Sequence, residues 1–344
     1  MGSVKGGIFL LEKKPYWSDI PIALQQEIAE KLGSRIVRAD RVFGGFGPSA
    51  TFRLYLEDGR TFFAKGAGKG ATPYNWEAVA IEEQVYENVV SIRPFAPKYF
   101  GSVQTSEWHL LFLEDVSGTI QVPPWNDALA KQVIAGIAAF HVKGQKEQEQ
   151  VPMFDLRKYG QNWKILKENK NERNLFLALF KEKREEAEAW FDQVIELVIE
   201  AEEQVVRSDQ PWGLIHLDLR SDNMRIRNEK LVLFDWSCLC QGPLMLDVSF
   251  FLPSVVAEGG PSAEVLLHEY RKIMRRNGVT FPEFCIAASA AYVAGFFAAR
   301  AGKEAVPLLP RLRELQRRVL GPALDWMAIC LQLPKPPDIY LDEQ

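Results

Sequence analysis

Eight consecutive residues, His216-Leu217-Asp218-Leu219-Arg220-Ser221-Asp222-Asn223, concentrate acids, an amide and a guanidinium in one stretch. Short apolar runs flank them, 213–215 before and 230–234 after, and the second ends on Asp235-Trp236. Both runs read as strands. An aspartate, an asparagine five residues on, and another aspartate beyond the next strand bring three oxygen-bearing side chains to one compact scaffold. Phosphoryl transfer from ATP uses such a set. A carboxylate orients the incoming hydroxyl and takes its proton, and oxygen ligands hold Mg2+ on the phosphates. Asp218 fits the first role, and Asn223 and Asp235 the second. Arg220 could reach the transferring phosphoryl group and offset its charge. The competing reading, a polar loop with acids by chance, leaves the combined spacing without a cause.

The rest of the chain must position these groups. From 36 to 66 the pattern is strand-like: Phe52, Leu54 and Leu56 alternate with Thr51, Arg53 and Tyr55. Asp58-Gly59 marks a hairpin turn, and 61–65 returns as the partner strand. The spacing predicts a helix over 75–90 with Val79, Glu83 and Tyr86 on one face, then an apolar strand over 108–113. After Glu114-Asp115 the pattern turns helical. Leu129, Val133, Ile137 and Phe140 face inward on a helix over 128–141, and long helical stretches cover 175–205. A strand-rich front of roughly a hundred residues thus precedes a helical remainder, and a cleft between two such lobes is a natural ligand site. Phe43-Gly44-Gly45-Phe46-Gly47-Pro48-Ser49 is glycine-rich. A dinucleotide fold needs a helix after such a loop; here a strand and a hairpin follow. Gly45, Gly47 and Ser49 are the candidates there for covering phosphates, and a plain hairpin turn is the alternative.

His216, Asp218 and Asn223 resemble the H-x-D-x-x-x-x-N catalytic loop of kinases at the same Asp-to-Asn spacing, and Asp235-Trp236-Ser237 stands where kinases have D-F-G. With Leu233-Phe234-Asp235-Trp236, then Gly242 and Leu246-Asp247, the chain looks most like the aminoglycoside phosphotransferase family, whose relatives include choline, homoserine, methylthioribose and fructosamine kinases. Motifs carry the likeness over about 42–251, and beyond that it rests on helical character. The resemblance implies an α+β, two-lobed protein-kinase-like fold. Its small strand-rich nucleotide-binding lobe would span 1–113, a hinge 114–118, and a larger helical lobe for catalysis and acceptor binding 119–344. ATP and Mg2+ are the implied cofactors. Lys65 matches the lysine that holds the α- and β-phosphates, and Glu83 its carboxylate partner, with Glu82 the fallback. Phe63 points the same way as Lys65 and is a candidate to pack on the adenine. Glu114 and Val116 are the backbone candidates for adenine; the Glu-Asp pair reads equally as a simple acidic turn. Asp247 is expected to brace the catalytic loop, His216 to orient it, and His141 to close a helix. His109 and His268 receive no partner. Two departures from the pattern are Ala50 at the third loop glycine and Trp236 in place of phenylalanine.

The implied activity is transfer of the γ-phosphate of ATP to a hydroxyl of a small molecule, either an aminoglycoside-like antibiotic or an amino-alcohol or sugar metabolite. A nucleotide-binding pseudokinase is the alternative, although Lys65, Glu83, Asp218, Asn223 and Asp235 are all present. A protein kinase fits less well, because no A-P-E-like segment follows Asp235. The acidic stretch 182–203 reads either as a rim for a polycationic acceptor or as the solvated face of a helix whose apolar side is Trp190, Val194 and Leu197.

Composition bounds the rest. The chain has 344 residues, 47% hydrophobic, with a net charge of −4, so the basic excess of nucleic-acid binders is missing. No lysine- or arginine-rich run suggests an anionic membrane surface. The apolar stretch near the N-terminus is about four residues long, short of a signal region, and Gly6 stands where a myristoylation motif after Gly2 wants Ser or Thr. The run 284–299 reads as a buried helix rather than a membrane span. Four scattered cysteines, with Cys238 and Cys240 too close for a zinc knuckle, fit reduced thiols and a cytoplasmic protein.

Overall fold

A computed structural model describes residues 14–43, 47–146, 150–207, 209–307, 309 and 311–340. Gly2, Gly6, Gly44, Gly45 and Phe46 lie outside these described residues.

The N-terminal region is built on alternation. Strands β1 (Ile36–Arg41), β2 (Ala50–Leu56), β3 (Thr61–Ala67), β4 (Tyr99–Gln104) and β5 (His109–Glu114) form one antiparallel sheet in the order β1-β2-β3-β5-β4. Gly59, at φ 86, makes the expected β2–β3 turn. Period-two side-chain placement divides the sheet into two faces. Phe52, Leu54, Phe62, Ala64, Leu110 and Phe112 pack on one side with Leu24, Ile28 and Leu32 of helix α1 (Ile22–Leu32). Leu111 and Leu113 point the other way, into the main core. Helix α2 (Pro73–Asn88) lies between β3 and β4 in sequence. Its N-terminus is fixed by Thr72 and Asn75: the Asn75 N–H donates to the Thr72 hydroxyl at 3.3 Å, and the Thr72 N–H donates to Asn75 Oδ1 at 3.2 Å.

The remainder is helical, broken by short strands. In order come β6 (Ile120–Gln121), α3 (Asp127–Lys146), α4 (Leu156–Tyr159), α5 (Asn162–Glu168), α6 (Lys170–Leu177) and α7 (Arg184–Glu203). Then follow β7 (Trp212–Ile215), β8 (Met224–Arg227), β9 (Lys230–Leu233), β10 (Cys240–Pro243), α8 (Leu244–Ala257), α9 (Ala263–Arg276), α10 (Glu283–Ala301) and α11 (Leu312–Leu331). β7 pairs with β10, and β6-β8-β9 form a small sheet. β8 and β9 are a hairpin whose turn residues, Asn228 and Glu229, both have positive φ, the backbone such a tight turn needs. The α+β, two-lobed kinase-like architecture expected from the sequence is the one present.

α10 is long and apolar enough to cross a membrane, yet 78% of its most apolar window is buried inside the protein. It is a core helix, packed against α5, α7, α8 and α11. On α7 the acids largely face solvent and pair with neighbouring cations: Glu188 and Asp192 with Arg173, and Glu196 with Lys167. Two details differ from expectation. Leu197 is exposed, and the buried stripe runs instead through Ala187, Trp190, Phe191, Val194, Ile195, Val198 and Ala201. Glu202 is buried, and its carboxylate accepts from the N–H groups of Asn162 and Trp163 at the start of α5, at 3.1 and 3.2 Å.

Candidate active site

Lys65 lies near the end of β3, where the sheet is unusually close-packed. A Cβ on the neighbouring Gly66 would fall 1.8 Å from the His109 carbonyl oxygen, so only glycine fits there. The Lys65 ammonium meets Glu82 Oε2 at 2.8 Å and Asp235 Oδ1 at 3.0 Å. This corrects the expected partner, which is Glu82 and not Glu83. Adjacent residues on a helix point about 100° apart. Glu82 faces Lys65, 1% exposed, while Glu83 faces β4 and β5. Glu82 also accepts from the Trp236 N–H at 3.3 Å. One carboxylate thereby ties β3 and α2 to the segment carrying Asp235.

The charges in this knot set its protonation. Burial would raise the Asp235 carboxyl, but Lys65, followed by Arg220, outweighs it and holds the group down at about 2. Burial would lower Lys65, but Asp235 and Glu82 hold it above the usual lysine range. Burial pushes the Glu82 carboxyl up against the pull of Lys65.

The catalytic-loop candidates sit between β7 and β8. Arg220 forks onto Asp218, with Nε to Oδ1 at 2.9 Å and Nη2 to Oδ2 at 3.2 Å. Asn223 Nδ2 donates to Asp218 Oδ2 at 2.7 Å and to the Asp218 carbonyl at 3.0 Å, which turns the amide oxygen away from Asp218. The Phe234 N–H donates to the Asn223 carbonyl at 2.9 Å. The β8–β9 hairpin therefore returns the chain so that Asp235 emerges beside Asn223.

The loop rests on Asp247, at the start of α8 and fully buried. Its Oδ2 accepts from the His216 N–H at 2.7 Å, and its Oδ1 from the Leu217 N–H at 2.6 Å. Leu217 has φ 64, an uncommon backbone for a bulky residue, and this pair of bonds holds it there. His141 Nε2 meets Asp247 Oδ2 at 3.1 Å, and its Nδ1 meets the Tyr270 hydroxyl at 2.7 Å. His216 Nε2 donates to the Phe234 carbonyl at 2.8 Å.

The remaining candidates are more scattered. Gly47 and Ser49 lie near the N-terminus of α2: a Cβ on Gly47 would come within 3.4 Å of Ser49 Oγ and 3.8 Å of Asn75 Nδ2. Gly45 is outside the described residues. Phe63 is half-buried on the Lys65 face of β3. The Glu114 carboxylate is engaged by Arg227 at 2.5 Å, and this pair draws its pKa down. The Val116 carbonyl accepts from the Thr119 N–H at 3.2 Å; no acceptor among the described residues takes the Val116 N–H. Tyr74, at the start of α2, was not singled out from the sequence. It is largely exposed, and partial desolvation, then Cys238, Asp235 and Asp218, push its phenol up.

A lysine–glutamate–aspartate knot thus stands beside an Asp–Asn loop. The model of the phosphotransferase enzyme family matches residues 44–315. The chain belongs to this family. The phosphotransferase is similar in fold to several solved structures. One is a spectinomycin phosphotransferase in complex with ADP and its antibiotic, at 15% identity and TM-score 0.56, covering 86% of this chain and 93% of that one. Another is an amicoumacin kinase with AMP-PNP and Ca2+, at 12% identity and TM-score 0.54, with coverage of 86% and 93%. A third is a putative fructosamine-3-kinase from Haemophilus somnus, at 13% identity and TM-score 0.50, with coverage of 86% and 96%. No curated protein matches the chain. The protein is a small-molecule phosphotransferase.

Proposed function

We propose that this phosphotransferase moves the γ-phosphate of ATP onto a hydroxyl of a small molecule, with Mg2+ on the phosphates. The observation that carries the reading is the double contact of Lys65 with Glu82 and Asp235 beside an Asp218 held by Asn223 and Arg220. Two structural neighbours are complexed with nucleotides, AMP-PNP in one and ADP in the other, which supports a nucleotide donor.

The chain's groups fit a hard divalent cation. Asp235 offers a carboxylate held ionised, and Asn223 an amide whose nitrogen is committed to Asp218, leaving its oxygen to point elsewhere. Bound there, Mg2+ would neutralise charge on the phosphate oxygens. Lys65, fixed by Glu82, binds the α- and β-phosphates, and the loop with Gly45, Gly47 and Ser49 covers them. The backbone of Glu114 and Val116 takes the adenine. Asp218 accepts a hydrogen bond from the acceptor hydroxyl and takes its proton as the new O–P bond forms and the bond to the ADP oxygen breaks. Arg220 leaves its fork on Asp218 to meet charge on the transferring group. ATP as donor sets the reaction in the cytoplasm. The acceptor is an aminoglycoside-like antibiotic or an amino-alcohol or sugar metabolite.

A screen of ADP release with Mg-ATP and a panel of aminoglycosides, macrolides, choline, homoserine, methylthioribose and fructosamine tests this. Acceptor-dependent release supports it and names the class. Tight nucleotide binding with silence across a broadened panel favours a pseudokinase, and absence of nucleotide binding removes the reading.

A further inference from the structure

Glu83, not needed by Lys65, has its own set of partners. Its Oε1 accepts from the Tyr99 hydroxyl at 2.8 Å and from the Ser102 hydroxyl, and its Oε2 meets His109 Nε2 at 2.7 Å. These three groups come from β4 and β5. Burial would raise the Glu83 carboxyl, but the bonds from Ser102, Tyr99 and His109 bring it below the ordinary range. His109 is 1% exposed, and its Nδ1 has no partner among the described residues. Its proton therefore belongs on Nε2, facing Glu83.

The arrangement is built into the backbone. Residues 99 and 102 are an odd number apart, so in a regular strand their side chains would leave opposite faces. The β4–β5 register shifts between Tyr99 and Ser102, and Gly101 there has φ 103. This irregularity brings both hydroxyls to one carboxylate. Apolar packing also holds α2: Val79, Val85 and Tyr86 are buried, Trp76 and Ile81 pack partly buried against the core, and Tyr86 stacks on the ring of Tyr99 at 5.5 Å.

We propose that Glu83 is a positioning residue: with Tyr99, Ser102 and His109 it clamps α2 to β4 and β5 and so sets the rotation at which Glu82 meets Lys65. The clamp does not touch the nucleotide, and it acts through Glu82. This rests on the phosphotransfer reading only for the role of Lys65 and Glu82.

The test uses the whole chain with Mg2+ and AMP-PNP as probe, comparing wild type, Glu83→Gln, and the milder pair Tyr99→Phe and Ser102→Ala, each also in a Glu82→Gln background. Amide exchange of α2 is followed without nucleotide. Loosening the clamp should speed exchange in α2 while the helices of the C-terminal region keep their protection. Nucleotide affinity should fall about fivefold in the native background and change less than about twofold once Glu82 is replaced, because the two glutamates are coupled. Unchanged α2 exchange overturns the clamp, as does an equal loss of affinity in both backgrounds. A general structural role would lower the active fraction without that coupling. If wild type binds no nucleotide yet α2 loosens in the variants, the clamp stands and the phosphotransfer assignment of Lys65 falls.

Discussion

Two carboxylates, one on α8 and one on α2, brace the candidate site by different means. Asp247 is fully buried and grips the backbone, taking the N–H groups of His216 and Leu217. Glu83 keeps 18% of its side chain exposed and is held by side chains alone, Tyr99, Ser102 and His109. A backbone grip fixes the path of the chain, here a loop with Leu217 in the left-handed region. A side-chain grip fixes only where a helix sits. The loop carrying Asp218 is thus locked, while α2 is held by bonds that individual side-chain changes can release.

This contrast is open to attack, most strongly at Asp247. Asp247→Ala strands the buried His216 N–H, the part-buried Leu217 N–H and the His141 ring, and about 3–5 kcal/mol of stability should be lost, readable by denaturant unfolding. A loss below about 1 kcal/mol would remove the idea of a locked loop. Glu83→Ala should cost less, about 2 kcal/mol, because water can reach the released hydroxyls and only the buried His109 Nε2–H is left without its acceptor. An effect as large as that of Asp247→Ala would erase the difference between the braces. Tyr270→Phe takes the hydroxyl from His141 and should cost about 1 kcal/mol or less, with the loop geometry kept; a full loss of activity would mean the brace reaches further than Asp247.

The smallest effect is in pH. The folded-state carboxyl of Glu83 lies below its ordinary range. Its contribution is therefore present above the unfolded value and lost as pH falls through the lowered folded one. The stability gap between wild type and Glu83→Gln should narrow by a few tenths of a kcal/mol from about pH 6 to pH 3.5, in thermal melts across that range. A gap that widens on acidification contradicts the clamp.

The grouping of Asp218, Arg220, Asn223 and Asp235 was legible because its parts are local. Asp218, Arg220 and Asn223 lie within one turn-strand unit, and Asp235 follows a single hairpin. Other features were hidden by phase or by distance. Val79, Glu83 and Tyr86 make a helical stripe, but so do Val79, Glu82 and Tyr86; the buried set is the second, and periodicity cannot choose between them. His109 could be given no partner from sequence, since the Tyr99–Ser102 irregularity that collects Glu83's donors is marked only by Gly101. The expected roles of Asp247 and His141 came from family likeness alone. His141 meets Asp247 across 106 residues and Tyr270 across 129, beyond any local signal. On α7, acidic spacing could not reveal that Glu202 turns inward to cap α5.

The central claim is that Asp218 handles the acceptor hydroxyl while Lys65, Glu82 and Asp235 hold the nucleotide. Asp218→Ala, assayed for acceptor-dependent ADP release and for Mg-nucleotide affinity in one preparation, tests it most directly. Turnover should fall at least about a hundredfold while nucleotide binding stays near that of wild type, as for the loss of a positioned base. Wild-type turnover in that variant, or loss of nucleotide binding with the fold intact, would contradict the account.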